Sequence, residues 1–267
     1  MRVLKKYWKL LRYELKTLYK DSTNLFMIVY PFMMLGILGF LVPKMLEKVP
    51  AETSRSVSLI ALALAFVVGS YISGVLLGFS LIENKDENTI LSLAVTPASL
   101  SGYTVFKIAY GFVISFLSNL ILLGGLKLFA SGQYVIAPEG NTIGLLGNLG
   151  WSKVLVFSLV SSLFVPAVAL VLGTYAKNKI EGFAFLKGGA IIIILPALTV
   201  LKTFQNELQY VLGILPNFWT VKAMMNAAMG YRGPSDLPFY GYMSIGALYF
   251  LLVFYLAFRN FQRKIQN

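Results

Sequence analysis

The chain alternates between long apolar runs and short polar connections. Six apolar runs approach the roughly 20 residues that a membrane-spanning helix needs. They cover residues 24–42, 57–82, 103–129, 152–174, 182–201 and 239–258. A helix satisfies its own backbone hydrogen bonds inside a bilayer, where water cannot. The pattern therefore predicts an all-α integral membrane protein with six transmembrane helices, in which residues 1–267 form a single domain.

The first 22 residues show a different, amphipathic pattern. Apolar and basic side chains recur there at helical spacing as two adjacent stripes, which are Leu4, Trp8, Leu11, Leu15 and Leu18, and Lys5, Lys9, Arg12, Lys16 and Lys20. A basic amphipathic helix of this kind lies in the headgroup region of an anionic membrane. We therefore expect an interfacial helix over residues 1–22, with a solvated basic tail as the alternative.

The segment 202–238, between the fifth and sixth runs, is apolar and aromatic but is interrupted by Pro216. Asn217 is a suitable N-cap for a helix that ends at Met229, and Gly230 is a suitable C-terminal stop. Neither half is long enough to cross a bilayer. The segment is predicted to form short re-entrant helices on the outer side, or surface helices packed on the bundle.

Five residues within or beside the spans carry local predictions. Proline lacks an N–H donor, so Pro31, Pro166 and Pro196 are expected to kink or break their helices. Lys107 and Lys127 are 20 residues apart, or about 30 Å along a helix. They are expected to extend their ammonium groups to opposite membrane interfaces.

Composition and charge support a membrane protein and suggest its orientation. The chain is 57% hydrophobic and 13% charged, with a net charge of +12. The basic residues cluster at the ends and between apolar runs, which argues against nucleic-acid binding. If the N-terminus is cytoplasmic, that side collects fifteen of the 23 Lys and Arg residues. The positive-inside rule then places both termini and the loop 83–101 in the cytoplasm, in a multi-pass protein of the plasma membrane.

The residue types that are missing narrow the possible chemistry. The sequence has no Cys and no His, so thiolate and imidazole catalysis and the usual structural metal sites are not expected. No carboxylate falls near the centre of an apolar run, which argues against ion-coupled transport. There is no glycine-rich phosphate-binding loop. We expect no catalytic residue, no metal and no cofactor bound by this chain.

Polar and aromatic side chains inside the apolar segments are candidates for a substrate pathway. They are Ser115, Ser118 and Asn119 in the third run and Phe218 and Trp219 in the outer segment. The serines and the asparagine could instead form hydrogen bonds between helices. Both interpretations remain open at this point.

The loop 83–101 carries the most specific motif. It has three of the eleven acidic residues and consists of Glu83, Asn84, Lys85, Asp86, Glu87, Asn88 and Thr89, followed by Leu91, Leu93, Thr96 and Pro97. With the leading amphipathic helix, the six runs and the outer segment, the chain resembles the membrane subunit of a type-2 ATP-binding-cassette (ABC) exporter over nearly its full length. Asn88 stands where that family usually has Gly, and Asn tolerates left-handed backbone better than most residues.

The resemblance implies a permease subunit that works as a homodimer or heterodimer with a separate soluble ATPase. That partner would bind ATP and magnesium, and its closure would be transmitted through the residues from Glu83 to Thr89 and through Leu91. The expected cargo is an amphipathic or lipid-like compound such as a drug, an antibiotic or a lipid, moved outward across the membrane along a path between two protomers. The alternatives are a membrane-embedded binding or regulatory protein without transport, and an ion-coupled carrier.

Overall fold

A computed structural model describes residue 12 and residues 22–86, 100–137, 142–200, 206–230 and 233–266. The predicted interfacial helix lies outside the described residues except for Arg12 and Ser22. Most of the predicted coupling loop, residues 87–99, also lies outside them. The statements below concern the described residues.

The described chain is almost entirely helical. Its helices are α1 (Ser22–Gly36), α2 (Val42–Leu46), α3 (Ala51–Asp86), α4 (Leu100–Phe129), α5 (Trp151–Ser162), α6 (Phe164–Tyr175), α7 (Lys179–Ile194), α8 (Phe218–Met229) and α9 (Phe239–Gln266). A π-helical turn (Ile37–Leu41) joins α1 to α2, and 3₁₀ segments (Leu195–Val200 and Glu207–Ile214) separate α7 from α8. Two short strands, β1 (Val135–Ile136) and β2 (Ile143–Gly144), pair antiparallel between α4 and α5.

Six helical stretches are long and apolar enough to cross a membrane, which confirms the predicted fold class. They are Leu25–Leu46, Ala51–Glu83, Gly102–Phe129, Trp151–Tyr175, Lys179–Thr199 and Phe239–Lys264. Each predicted run overlaps one of them. The second and the last extend well beyond the apolar runs, because helical geometry continues into flanking polar residues that hydropathy alone does not include.

The proline predictions were confirmed in part. Helix α1 passes through Pro31 without a break, and the irregular turn of that span comes later, at Ile37–Leu41. The fourth span is interrupted between α5 and α6, at Leu163, three residues before Pro166. Because Pro166 has no N–H, the carbonyl of Ser162 loses its usual helical donor there. Helix α7 ends just before Pro196, and the chain continues as a 3₁₀ segment.

The second and fourth spans form the centre of the bundle. In their most apolar windows, 72% and 67% of the residues are buried, against 22% in the first, fifth and sixth spans. Small residues allow this close packing. A Cβ added at Gly74 would lie 2.7 Å from the Cβ of Val168, and one added at Gly78 would lie 2.8 Å from the Cβ of Leu172. The peripheral spans therefore leave their apolar faces for lipid or for another protein.

Helix α8 is packed inside the bundle. Its residues are nearly all buried, and it contacts α3, α5 and α9. The predicted end at Gly230 is confirmed, since this residue has a left-handed φ of 63°. The predicted cap is only half right: Asn217 occupies the N-cap position, but its side chain makes no capping hydrogen bond. The oxygen of its backbone carbonyl instead accepts from the Thr220 hydroxyl at 3.2 Å.

Candidate functional site

An ion pair between described residues links two helices at the end of the bundle that carries the 83–101 loop. Glu83 lies in the last turn of α3, and its Oε1 accepts from Lys179 Nζ at 2.8 Å. Lys179 is the first residue of α7, where the Asn178 side chain caps the helix by accepting from the Glu181 amide at 2.9 Å. The two side chains are partly exposed, so this pair contributes at most about 1 kcal/mol. Its importance is geometric, because it joins the second span to the fifth.

The other predicted coupling residues are described only in part. Asn84, Lys85 and Asp86 belong to α3, which therefore carries the start of the acidic motif as a rigid extension of the span. Their side chains lie outside the described residues. The same holds for Glu87, Asn88, Thr89 and Leu91, whose coupling role stays a prediction.

The prediction for Lys107 was wrong, because its side chain is buried in protein at 3% exposure. Its Nζ donates to Ser80 Oγ on α3 at 2.9 Å and also lies 5.9 Å from the centre of the Tyr103 ring. Lys127, at the other end of α4, folds back onto a turn. Its Nζ lies 3.1 Å from the carbonyl oxygen of Leu146. The hydrogen-bond partner of Lys107 comes from a different helix, so the spacing of residues along α4 could not predict it.

The polar candidates of the third span lie between helices. Ser115, Ser118 and Asn119 are all buried. Asn119 Nδ2 donates to Ser70 Oγ on α3 at 2.9 Å, and its other neighbour is Ser162 Oγ at 3.5 Å. These contacts support the interpretation as interhelical hydrogen bonds, which in membranes contribute about 0.6 kcal/mol on average.

An apolar groove of about 590 Å³ lies between α3, α6 and α7. Its lining includes Tyr71 and Val75 of α3, Phe164, Val168 and Val171 of α6, Phe185, Gly188 and Ile192 of α7, and Pro216 and Val253. Phe185 and Ile192 are 44% and 50% exposed, so the groove opens on the bundle surface. Tyr71 borders it, and its hydroxyl donates to the Leu186 carbonyl at 2.7 Å.

The two aromatic candidates of the outer segment do not line this groove. Phe218 is fully buried. Trp219 packs 5.1 Å from Phe218 and 6.2 Å from Tyr242, measured between ring centres, and its Nε1 donates to the carbonyl of Gly213 at 3.0 Å. Their positions indicate packing of α8 against its neighbours, and the neighbouring Pro216 is the residue that reaches the groove.

Sequence analysis missed a buried ion pair at the opposite end from the 83–101 loop. The Lys222 ammonium on α8 lies 3.3 Å from Asp236 Oδ1, with the two side chains 3% and 5% exposed. Gln209 Nε2 and the Tyr242 hydroxyl each donate to the same oxygen at 3.0 Å. The Gly233 amide donates to Asp236 Oδ2 at 2.9 Å. Asp236 is the one carboxylate that is buried within the described ranges.

This arrangement favours the ionised carboxylate. Burial alone would raise the pKa of Asp236, but the Gly233 amide, the Lys222 ammonium and the two side-chain donors outweigh it and hold the pKa below its usual value. Burial lowers the pKa of Lys222, an effect that Asp236 partly offsets. The pair lies outside the spans, where hydropathy gives no signal. The only available hint was a Lys and an Asp in otherwise apolar surroundings.

The fold and these sites define a polytopic helical membrane protein with an apolar surface groove and polar clusters at both ends of the bundle. Comparison with known proteins gives the family. The family described as "Fluoroquinolones export permease protein Rv2686c-like" matches residues 14–258, so the chain belongs to this family of export permeases.

Two curated relatives from Mycobacterium tuberculosis agree with this assignment. They are "Fluoroquinolones export permease protein Rv2686c" of strain ATCC 25618 / H37Rv and "Fluoroquinolones export permease protein MT2760" of strain CDC 1551 / Oshkosh. Each is 24% identical to this chain over 258 residues, which cover 95% of this chain and 92% of the relative.

Proposed function

We propose that this protein is the permease subunit of an ATP-driven exporter of the type-2 ABC class. One observation supports it best: two of the three helices that form the walls of the apolar groove, α3 and α7, are also linked by the Glu83–Lys179 ion pair at the end that carries the 83–101 loop. Helix α3 supplies one wall and has Glu83 in its last turn, while α7 supplies another and begins at Lys179. A movement of the loop caused by a bound partner would therefore be transmitted to both α3 and α7.

The energy source in this proposal is a separate soluble ATPase that binds ATP and magnesium. The sequence contains no phosphate-binding loop of its own. The acidic motif that continues α3 supplies charged groups with which such a partner could bind, and the basic N-terminal stretch supplies a second contact on the same side. The distribution of Lys and Arg supports cytoplasmic termini.

The proposed cargo is an amphipathic compound whose apolar part occupies the groove. A volume of about 590 Å³ lies within the range of small-molecule sites, which is roughly 300–1,000 Å³. The relatives are named for fluoroquinolones, which are antibiotics, and the lining would also suit other drugs or a lipid. A second permease chain, identical or different, would close the groove on its open side.

The first experiment is to isolate the tagged chain from its native membranes in mild detergent and to identify the proteins that copurify with it. We expect a stoichiometric ATPase and ATP-dependent export of a fluoroquinolone in reconstituted vesicles. Export that ignores ATP and collapses with an ionophore would favour an ion-coupled carrier. Binding without any movement would favour a membrane-embedded binding protein.

The coupling role of Glu83 can be separated from its contact with Lys179. Glu83→Lys is expected to abolish export while the chain still inserts and folds, because an exposed pair contributes little to stability. The double change Glu83→Lys with Lys179→Glu restores an ion pair of reversed polarity. If the ATPase binds through the negative charge at position 83, export is absent in the double variant as well. Normal export by the single Glu83→Lys variant would refute a coupling role for this residue.

A further inference from the structure

Several lysines lie near the end of the bundle opposite the 83–101 loop, and two of them have polar partners in the protein. Lys222 is paired with the Asp236 carboxylate at 3.3 Å. Lys127 donates to the carbonyl oxygens of Leu146 and Gly147 at 3.1 and 3.3 Å. Lys222 therefore has a counter-charge, and Lys127 has hydrogen-bond acceptors.

Lys153 differs from both. Within the described ranges it has no hydrogen-bond or ion-pair partner, and its Nζ lies 5.8 Å from the centre of the Phe239 ring. That separation is close to the 6 Å limit of a useful cation–π contact. A partly buried ammonium without a counter-charge is unfavourable, so this position would be stabilised by an anion.

A cavity adjoins this ammonium. A pocket of about 220 Å³ is lined by Lys153, Asn226, Leu237, Phe239 and Tyr242, together with Ala223, Ala227 and Gly230 of α8 and its C-terminus. A second pocket of about 480 Å³ shares Lys153, Ala227 and Gly230 and continues toward β2. Since a water molecule takes about 30 Å³, the smaller pocket has room for a carboxylate and part of a ring.

A second polar group in this lining also lacks a partner. Asn226 lies one turn after Lys222 on α8, and its Nδ2 is buried without a hydrogen bond within the described part of the chain. A buried donor left without an acceptor costs about 1–3 kcal/mol. Lys153 and Asn226 thus both line one space beside the Phe239 ring. The Asn226 Nδ2 is covered by protein in this conformation, so a rotation of the side chain would be needed to bring this donor into the space.

We propose that Lys153, Asn226 and Phe239 form a binding site for the carboxylate of an aromatic organic acid. The Lys153 ammonium would form a charge-assisted hydrogen bond to the carboxylate, and Phe239 would pack against the ring. Asn226 Nδ2 would donate to the carboxylate after rotation of its side chain, which would give this buried donor the acceptor that it lacks. The site deepens the proposed function and rests on it, because the acid would be the exported compound at the far end of its path.

The test uses the full chain in lipid nanodiscs and two probes that differ by methylation of one carboxylate, which removes its negative charge. A fluoroquinolone with a free carboxylate and its methyl ester are titrated while their own fluorescence is recorded. Wild type is expected to bind the acid more tightly than the ester. Lys153→Gln is expected to weaken binding of the acid at least about tenfold, or about 1.4 kcal/mol, and to leave the ester unchanged.

Three further variants refine the result. Lys153→Arg keeps the charge and should retain most of the preference for the acid. Asn226→Asp would place a carboxylate of the protein in the site and should remove that preference. Lys48→Gln removes one charge from an exposed position near the same end and should change neither affinity, which separates local binding from long-range attraction. Thermal unfolding of each variant reports whether it is folded.

The proposal is overturned if wild type does not prefer the acid, or if Lys153→Gln weakens the acid and the ester equally. ATP-driven export is measured separately with the ester in vesicles that contain the ATPase. Export of the ester without any preference for the acid would refute this site and leave the proposed function standing. A Lys153-dependent preference without ATP-driven export would refute the proposed function and leave the site.

Discussion

The buried pair of Lys222 and Asp236 allows a quantitative prediction about stability. Asp236→Asn keeps the shape of the side chain but removes the charge that compensates Lys222. Because the two side chains are 3% and 5% exposed, the Lys222 ammonium would be left as an uncompensated buried charge. Breaking such a pair typically costs about 3–5 kcal/mol, which corresponds to a factor of at least about 100 in the unfolding equilibrium constant.

A double-mutant cycle measures the interaction between Lys222 and Asp236 separately from the contacts that each makes with other groups. Lys222→Met should also destabilise, but by less, because the Gly233 amide, the Gln209 amide and the Tyr242 hydroxyl would still donate to Asp236. The double variant Lys222→Met with Asp236→Asn should recover most of the loss. Unfolding in mixed detergent micelles, followed by tryptophan fluorescence, measures all three changes. Additive single effects, or a cost below about 1 kcal/mol for Asp236→Asn, would refute the reasoning.

The same pair determines whether the stability of the folded protein rises or falls at acidic pH. The pKa of Asp236 is lower in the folded protein than in the unfolded chain, where it is about 3.9. Its contribution to stability is therefore fully present above that value and is lost as the pH falls through the folded-state value. Wild type should thus lose more stability than the Asp236→Asn variant on going from pH 5 to pH 2.

Three further predictions concern packing and the groove. Gly74→Ala should destabilise the bundle by about 1–3 kcal/mol, because its Cβ would lie 2.7 Å from the Cβ of Val168. Gly36→Ala, where nothing lies within 4 Å, is the matched control in detergent unfolding and should not destabilise. Gly188→Trp places an indole in the groove from an open position and should reduce export without loss of stability. Normal export would show that the cargo does not use the groove. Asn119→Ala should cost about 1 kcal/mol in the same unfolding assay. If export falls by more than the amount of folded protein does, the result would support a role for Asn119 in the substrate pathway.

Much of the fold was predictable because the bilayer acts as a strong and simple constraint. A run of about 20 apolar residues has few structural options, so the apolar runs of the sequence alone locate all six spans. The C-terminal end of α8 was predictable too, since Gly230 adopts the left-handed conformation that glycine allows most readily. Predictions for single side chains were weaker. Lys107 was expected at an interface and is buried against Ser80 instead.

The candidate sites were only partly predictable, because they depend on which helices meet. Hydropathy identified the acidic end of the second span, but it could not show that Glu83 would meet Lys179, which follows 96 residues later. It also gave no reason to connect Lys222 with Asp236, or Lys153 with Asn226 and Phe239. Such contacts arise when helices from distant parts of the chain pack together, and periodicity within one helix carries no information about them.

The sequence by itself determined the class of protein, the number of spans, the acidic loop and the absence of a nucleotide-binding motif. These properties follow from composition and local pattern, which act on each segment independently. Only the tertiary structure decided which helices form the groove, which lysines are paired and which one faces a cavity. Those properties depend on distances between segments that are far apart in the chain. The contact between α3 and α6 is an example, because Val168 and Leu172 leave no room for a Cβ at Gly74 and Gly78.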